Sequence, residues 1–176
     1  MLSEKIESLL NQQVKHEFDA GNWYLSMSSW AELQGYHGAA NFFLEQSREE
    51  NFHAMKIFHF INDMDGHARA PEISKPPSDF DSYRHLFERS LELEQENTKA
   101  INGLMNAAQE ARDHATARFL QWYVDEQVEE EDLFRTILDK LNILGDDRSG
   151  LYMLDQELGQ RQADIPAAGE EEEGAE

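Results

Sequence analysis

Hydrophobic residues recur with the period of an α-helix along almost the whole chain, and no run alternates as a β-strand would. Glycines, prolines and polar turns divide this pattern into four long segments and a short one. The sequence therefore predicts five helices, at about residues 3–33, 37–65, 82–111, 114–144 and 149–160. The predicted core positions of the four long helices are Ile6, Leu10, Val14, Gly21, Tyr24, Ser28 and Ala31; Phe43, Ile57, Phe60 and Met64; Phe87, Leu91, Ile101, Leu104 and Ala108; and Phe119, Tyr123, Leu133, Ile137 and Leu141.

The segment between the second and third helices cannot be helical. Residues 66–82 contain Pro71, Pro76 and Pro77, and proline removes a helix hydrogen bond and clashes with the preceding turn. Fully extended, this linker reaches ~55 Å, which exceeds the ~40 Å length of a long helix. It can therefore cross the whole bundle. The predicted fold class is all-α: a four-helix bundle of two antiparallel hairpins joined by a long crossover, with a short fifth helix.

One pattern of polar residues occurs twice in the chain, at an offset of 77 residues. The first copy is Glu17, Glu49, Glu50 and His53, and the second is Glu94, Glu126, Gln127 and Glu130. Most of these residues interrupt the hydrophobic faces of their helices. Their distances from the two hairpin turns place them at about the mid-height of the bundle. We therefore expect them to converge in its interior.

Buried carboxylates at one level of a bundle require a cation, because burying an unpaired charge costs several kcal/mol. The alternative is that the glutamates reach solvent or are protonated, but their joint occurrence at matched heights favours a metal site. Carboxylate oxygens with one imidazole and no sulfur suit iron or manganese. Glu50 could bridge two ions, one held with Glu17 and His53 and the other with Glu94 and Glu130.

Composition narrows the chemistry further. The chain has no Cys, which excludes disulfides, thiolate-bound zinc and iron–sulfur clusters. It has 36 acidic and 15 basic residues, and the resulting net charge of -21 disfavours nucleic acid and anionic membranes as partners. Solubility in a salty cytoplasm and a surface that collects cations would both explain this charge, and composition does not choose between them.

The chain contains no pattern typical of a membrane or secreted protein. No apolar run reaches the roughly 18 residues that a membrane span requires, and the N-terminus lacks the features of a signal peptide. We therefore expect a cytoplasmic protein. Residues 1–162 are predicted to form one domain. Residues 163–176 are predicted to be a disordered acidic tail, because their final stretch, 169–176, contributes five acidic residues and has no apolar anchor.

Four strings of this chain resemble the bacterial non-haem ferritins. They are SREENFH (47–53), LELEQEN (91–97), FLQWYVDEQVEEE (119–131) and GLYMLDQEL (150–158). The resemblance covers about residues 1–162 and implies a ferritin-like fold and a hollow shell of 24 subunits that stores ferric mineral. It implies a di-iron ferroxidase site formed by Glu17, Glu50, His53, Glu94 and Glu130, with Gln127 beside it as a further candidate ligand. It also implies a third iron site drawn from Glu49, Glu126, Glu129 and Glu130.

Some residues depend on this resemblance for their assignment. Tyr24 lies two turns from Glu17 on the same helix face, and the resemblance implies a tyrosine near the di-iron site that donates an electron or a hydrogen bond. An ordinary core tyrosine is an equally good interpretation. Glu49 and Glu129 lie off the main hydrophobic faces, and each taken alone would be interpreted as solvated.

The second copy of the pattern departs from the first. His53 recurs as Glu130 and Glu50 recurs as Gln127, so the two metal positions should be unequal. The haem-containing bacterioferritins keep Glu-x-x-His in both copies and place a haem-ligating Met after the bridging Glu. Here that position is Asn51, so we predict no haem. Rubrerythrin-like relatives would require a Cys-rich iron domain, which the sequence lacks.

The sequence is compatible with three functions. The leading hypothesis is iron storage and detoxification by a homo-oligomeric ferritin that oxidises ferrous iron with dioxygen or hydrogen peroxide. A second is a di-iron enzyme that acts on an organic substrate or on peroxide without storage, although large core side chains leave little room for a substrate. A third is an acidic bundle that buffers cations or serves as an interaction scaffold.

Overall fold

The computed structural model describes residues 2–165, which form a helical bundle without strands within that range. The helices are α1 (Glu4–Leu33), α2 (His37–Asp63), α3 (Tyr83–Glu110), α4 (His114–Leu144) and α5 (Arg148–Leu158). The predicted fold class is therefore confirmed, and the helix bounds agree with the prediction to within two residues. Most of the predicted acidic tail, from residue 166 onward, lies outside the described residues.

The helices begin where side chains can cap them. Ser3 and Ser82 accept hydrogen bonds from the amides of the third residue after them, and Asp113 and Asp147 cap α4 and α5 in a similar way. The start of α2 has no such cap of its own. Instead, the carboxylate of Asp155 on α5 accepts from the amides of Gly38 and Ala39, both at 2.9 Å. The short fifth helix therefore completes the start of α2.

Gly38 permits this docking because it has no side chain. A Cβ atom at this position would lie 1.6 Å from the carbonyl oxygen of Asp155. Leu154 and Leu158 of α5 are buried at the same end of the bundle. Only glycine therefore allows α5 to pack so closely against α2.

α1 pairs with α2 and α3 pairs with α4, and the segment between α2 and α3 follows α1 along the bundle. This segment is held by side chains of α1: Lys15 donates to the carbonyl of Glu72 at 2.7 Å, and Asn22 donates to the carbonyl of Ser74 at 2.9 Å. Ser26 donates to the carbonyl of Pro77 at 2.5 Å. The predicted crossover is thus the observed connection between the two hairpins.

Two hydrophobic clusters fill the bundle, one on each side of a polar layer. The cluster nearer α5 includes Tyr24, Phe42, Phe43, Phe87 and Phe134, and the cluster at the opposite end includes Ile6, Leu10, Ile57, Ile61, Ile101 and Leu120. The acidic residues of the repeated pattern lie between these clusters. Among residues 2–165, no helix has the length and apolarity to cross a membrane.

Several predicted core positions lie at the edge of the core instead of inside it. Phe60 of α2 and Met64, the residue after α2, are half-buried, and Ile61 takes the interior position beside Ile57. The reason is that these residues flank the helix face that points to the bundle axis. The other predicted core positions that prove only half-buried are Ser28, Leu91, Phe119 and Leu133.

Candidate metal centre

Glu17, Glu50 and His53 come together in the interior of the bundle. Glu17 lies at the middle of α1, and Glu50 and His53 lie one turn apart on the facing side of α2. All three are at most 2% exposed. Each offers a ligand atom, and these atoms lie within 4.8 Å of one another. Two carboxylates and one imidazole converging from adjacent helices form a potential metal site.

Two atoms of this cluster lack a hydrogen-bond partner among the described residues. They are Glu50 Oε2 and His53 Nε2, which are both buried. A buried polar atom without a partner costs roughly 1–3 kcal/mol, so two in one cluster indicate a ligand that satisfies both. Burial also lowers the pKa of His53, which favours the neutral imidazole that binds metals. The donor set therefore fits a divalent metal ion.

Amide side chains hold Glu17 in place. Gln13 Nε2 donates to Glu17 Oε1 at 2.7 Å, and Asn97 Nδ2 of α3 donates to Glu17 Oε2 at 3.3 Å. Gln13 also donates to Asn97 Oδ1 at 2.5 Å, which links α1 to α3. Neither amide is predicted from the sequence. Their position one helical turn from Glu17 and Glu94 was the signal that could have identified them.

Glu94 lies in the same layer but outside the group of three ligand atoms. Its Oε1 accepts a hydrogen bond from the hydroxyl of Tyr24, and its Oε2 accepts from Gln127 Nε2 at 3.2 Å. Tyr24 is fully buried and stacks on Phe43 and Phe134, with ring centroids 6.0 Å apart in both pairs. Tyr24 is therefore both a core residue and a direct partner of a site carboxylate.

Glu130 is held from a different side. Its Oε2 accepts from Gln46 Nε2 at 2.9 Å, and its Oε1 lies 3.8 Å from the guanidinium of Arg161. The structure thus brings all five predicted di-iron ligands to one level. Only Glu17, Glu50 and His53 are already gathered closely enough to share an ion, whereas Glu94 and Glu130 are bonded to neighbouring side chains.

Burial and mutual repulsion disfavour ionisation of the carboxylates in this layer. Desolvation raises the pKa of Glu50 well above its ordinary range, and the charges of Glu94 and Glu17 raise it further. Desolvation and the charge of Glu94 likewise raise the pKa of Glu130. The pKa of Glu94 rises to about 7, mainly through desolvation. A bound cation would remove this penalty, because it stabilises the ionised carboxylates.

A second acidic site adjoins the first. Glu49, Glu126, Glu129 and Glu130, the predicted third-site residues, all line a cavity of about 400 Å³. Their exposure differs: Glu49 is 1% exposed, Glu126 is half-buried and Glu129 is exposed. The pKa of Glu126 rises to about 7 through burial and the charges of Glu129 and Glu49. Glu130 belongs to both sites and connects them.

Glu49, which taken alone would be interpreted as solvated, is buried, and both of its carboxylate oxygens accept hydrogen bonds inside this cavity. Its Oε2 accepts from Arg161 Nη2 at 2.7 Å, and its Oε1 accepts from the amide of Asp164 at 2.5 Å. Arg161 was not singled out in the sequence. It follows α5 and reaches the cavity only through the tertiary fold, so no local pattern could identify it.

The fold and the layer of buried acids define a class of protein: a four-helix bundle that gathers carboxylates and a Glu-x-x-His pair in its interior. Comparison with known families agrees, because residues 7–144 match the ferritin family model, described as a ferritin-like domain. The chain therefore belongs to the ferritin family of iron-storage proteins.

Individual relatives point to the same family. A bacterial non-heme ferritin of Staphylococcus aureus (strain USA300) is 42% identical over 164 residues, which are 93% of this chain and 99% of that protein. The bacterial non-heme ferritin of Staphylococcus saprophyticus is 41% identical, with 93% and 98% covered. The relatives thus match this chain through all five helices.

Solved structures show the same similarity in three dimensions. An open pore ferritin from the hyperthermophilic archaeon Archaeoglobus fulgidus aligns with a TM-score of 0.90 and 41% identity, and the alignment covers 92% of this chain and all of that one. A humanized archaeal ferritin aligns with a TM-score of 0.92 and 40% identity, covering 94% of this chain and all of that one.

Proposed function

We propose that this protein oxidises ferrous iron at the buried carboxylate layer and stores the ferric product inside a shell of 24 subunits. The observation that carries the proposal is the cluster of Glu17, Glu50 and His53, whose ligand atoms lie within 4.8 Å of one another and include two unpartnered atoms. In a ferritin bundle, such a cluster is best explained as a position for an iron ion.

We assign the first iron position to Glu17, Glu50 and His53 and the second to Glu94 and Glu130, with Glu50 shared between them. Glu94 and Glu130 must exchange hydrogen bonds with Tyr24, Gln127 and Gln46 for bonds to the second ion. The first position is therefore the more fully assembled of the two. This inequality follows the difference between the two copies of the sequence pattern, and Gln127 acts by positioning Glu94.

The reaction balances with iron as the electron donor. Two ferrous ions give one electron each to dioxygen, which takes up two protons to become hydrogen peroxide. Hydrogen peroxide as the oxidant takes two electrons and two protons and becomes two water molecules. Anionic oxygen ligands favour the ferric product over the ferrous substrate, since the higher charge interacts more strongly with carboxylates. Tyr24 would hold Glu94 in place and lies close enough to the centre to donate an electron.

The third-site residues Glu49, Glu126, Glu129 and Glu130 would receive iron that leaves the centre. The shell is supported by the alignments with the bacterial non-heme ferritin and the open pore ferritin. These alignments extend over 93% and 92% of this chain and include α5. Large apolar side chains also lie exposed on the single subunit, among them Leu33 at 81% and Ile143 at 85%. Contacts between subunits would bury such residues. We place the protein in the cytoplasm and assign it no haem.

Oxidation kinetics test the centre. Glu50→Ala and His53→Ala should slow the rapid phase of ferrous iron oxidation at least about 100-fold, beyond the effect of losing an outer-sphere partner. His59→Ala, an exposed histidine of the same helix, is the matched control and should oxidise iron at the wild-type rate. Wild-type rates in the Glu50→Ala and His53→Ala variants would refute the assignment.

Particle size tests storage. Twenty-four copies of the 20.4 kDa chain give a shell of about 490 kDa that should retain iron during size-exclusion chromatography. A particle of one or two subunits that still oxidises iron rapidly would favour a di-iron enzyme without storage. A small particle that binds cations without oxidising iron would favour the cation-buffering scaffold.

A further inference from the structure

The segment that follows α5 is fastened to α2 by three polar side chains spaced four residues apart. Asn41 donates from Nδ2 to the carbonyls of Gly159 and Arg161, both at 3.2 Å. Glu45 Oε2 accepts from the amide of Ala163 at 3.1 Å, and Glu49 Oε1 accepts from the next amide along the chain at 2.5 Å. Four-residue spacing places these side chains on one face of the helix. Residues 159–164, here termed the C-terminal strap, therefore lie along α2.

The strap carries a positive charge into the acidic cavity. The guanidinium of Arg161 donates to Glu49 Oε2 at 2.7 Å and lies 3.8 Å from Glu130 Oε1. It also lies against the ring of Phe42, 5.5 Å from the centroid. The side chain of Arg161 is 24% exposed, whereas Glu49 is 1% exposed. A cation of the protein itself thus occupies the part of the cavity where Glu49 and Glu130 face each other.

We propose that the C-terminal strap is a gate for the third cation position and that Arg161 is its built-in counter-ion. This proposal rests on the proposed function, because that position belongs to the iron pathway described above. The strap engages both oxygens of Glu49, one through Arg161 and the other through the amide of Asp164. Each oxygen keeps a lone pair for a metal ion, but an ion bound to Glu49 would lie beside the guanidinium of Arg161, and repulsion between the two positive charges would force the strap to undock. Metal binding and strap docking therefore oppose each other.

Burial gives this competition its strength. An exposed ion pair contributes little, since water and salt screen it. The carboxylate of Glu49 is buried, so it needs a partner at all times, either the guanidinium or a metal ion. The two equilibria are thermodynamically linked. If a bound metal weakens strap docking by some factor, the docked strap weakens metal binding by the same factor. Because Glu130 belongs to both sites, the strap also controls whether a cation can pass from the buried centre to the cavity.

Binding of Tb³⁺, a redox-inert cation that prefers oxygen ligands, tests the gate without iron chemistry. Luminescence titrations should show that Arg161→Gln binds Tb³⁺ at the Glu49-dependent position about tenfold more tightly than wild type, the effect expected from removing one competing charged hydrogen bond. Arg161→Lys should fall between the two, because it keeps the charge and loses the planar donors. Arg118→Gln, an exposed arginine of α4, is the control and should match wild type.

The double variant Arg161→Gln, Glu49→Gln should lose the gain in affinity, since it removes the ligand for which arginine and metal compete. Circular dichroism and particle size would establish that each variant folds and assembles. Equal Tb³⁺ affinity in wild type and Arg161→Gln would overturn the gate.

Hydrogen exchange supplies the second readout. In the wild-type protein, saturating Tb³⁺ should accelerate exchange of the Ala163 and Asp164 amides, which are hydrogen-bonded in the docked strap. Unchanged protection at saturation would refute the gate even if affinities differ. A wild-type protein without rapid iron oxidation would refute the proposed function separately, and the Tb³⁺ comparison would still decide whether the strap competes with a cation.

Discussion

Replacing Glu94 by Gln should stabilise the metal-free protein much more at pH 8 than at pH 5. Glu94 is fully buried, and desolvation raises its pKa to about 7, against 4.5 for an ordinary Glu. The folded chain therefore holds this proton more tightly than the unfolded chain does. The stability that the protonated form contributes is fully present below pH 4.5 and is lost as the pH rises through 7.

The magnitude follows from the two pKa values. Ionising Glu94 in the folded protein costs about 3 kcal/mol at pH 8 and less than about 1 kcal/mol at pH 5. Gln has the shape of the protonated acid and keeps an oxygen that can accept from Tyr24. A cost of repacking would be the same at both pH values. We therefore predict the difference between the two pH values: Glu94→Gln should raise the free energy of unfolding by about 2–3 kcal/mol more at pH 8 than at pH 5.

Guanidinium unfolding of chelator-treated protein, at one fixed protomer concentration, measures this difference. Glu96→Gln is the control, because Glu96 lies on the same helix with an exposed side chain. Its effect on the free energy of unfolding should be small and nearly independent of pH. The reasoning about burial is wrong if Glu94→Gln has the same effect at pH 5 and pH 8, or if it destabilises the protein more at pH 8.

Three further predictions concern packing and metal affinity. Gly38→Ala should detach α5, because its Cβ would lie 1.6 Å from the carbonyl oxygen of Asp155. Limited proteolysis within α5 should then be faster than in wild type, and an unchanged cleavage rate would contradict this prediction. Gly21→Ala should destabilise the fold by roughly 1 kcal/mol, because its Cβ would lie 3.3 Å from Glu50 Cβ. Gly103→Ala is the control, because a Cβ there would have no neighbour within 4 Å, and it should stabilise the fold by about 0.5–1 kcal/mol. Chemical unfolding measures both effects. Zn²⁺ affinity measured by calorimetry should increase from pH 6 to pH 8, because Glu94, with a pKa of about 7, must lose its proton to become a ligand, and a flat profile would oppose that role.

The sequence predicts the helices well because their signals are local. Capping residues such as Ser3, Ser82 and Asp113 mark helix starts, and the helical period extends unbroken between them. The acidic layer was also predictable, since Glu17 and Glu94 interrupt hydrophobic faces at equivalent heights. Both features can be read from spacing alone.

The supporting residues carry a weaker signal. Gln13, Gln46 and Asn97 are uncharged, so only their position one helical turn from a glutamate of the layer indicates that they are buried beside it. Glu49 lies off the main hydrophobic face, and its buried carboxylate contacts Arg161 and the amide of Asp164 in the C-terminal strap. The position of Arg161 depends on the docking of α5 against Gly38, a contact between residues more than a hundred positions apart. Such contacts are properties of the tertiary fold.

Anomalous diffraction at the iron absorption edge, from crystals soaked anaerobically with ferrous iron, would show directly where the metal binds. We predict one peak among Glu17, Glu50 and His53 and a weaker peak toward Glu94 and Glu130, with Glu50 contacting both ions. In crystals of Glu50→Ala, both peaks should disappear. Iron bound only at surface carboxylates, with none in the buried layer, would contradict the assignment of this layer as the site of iron oxidation.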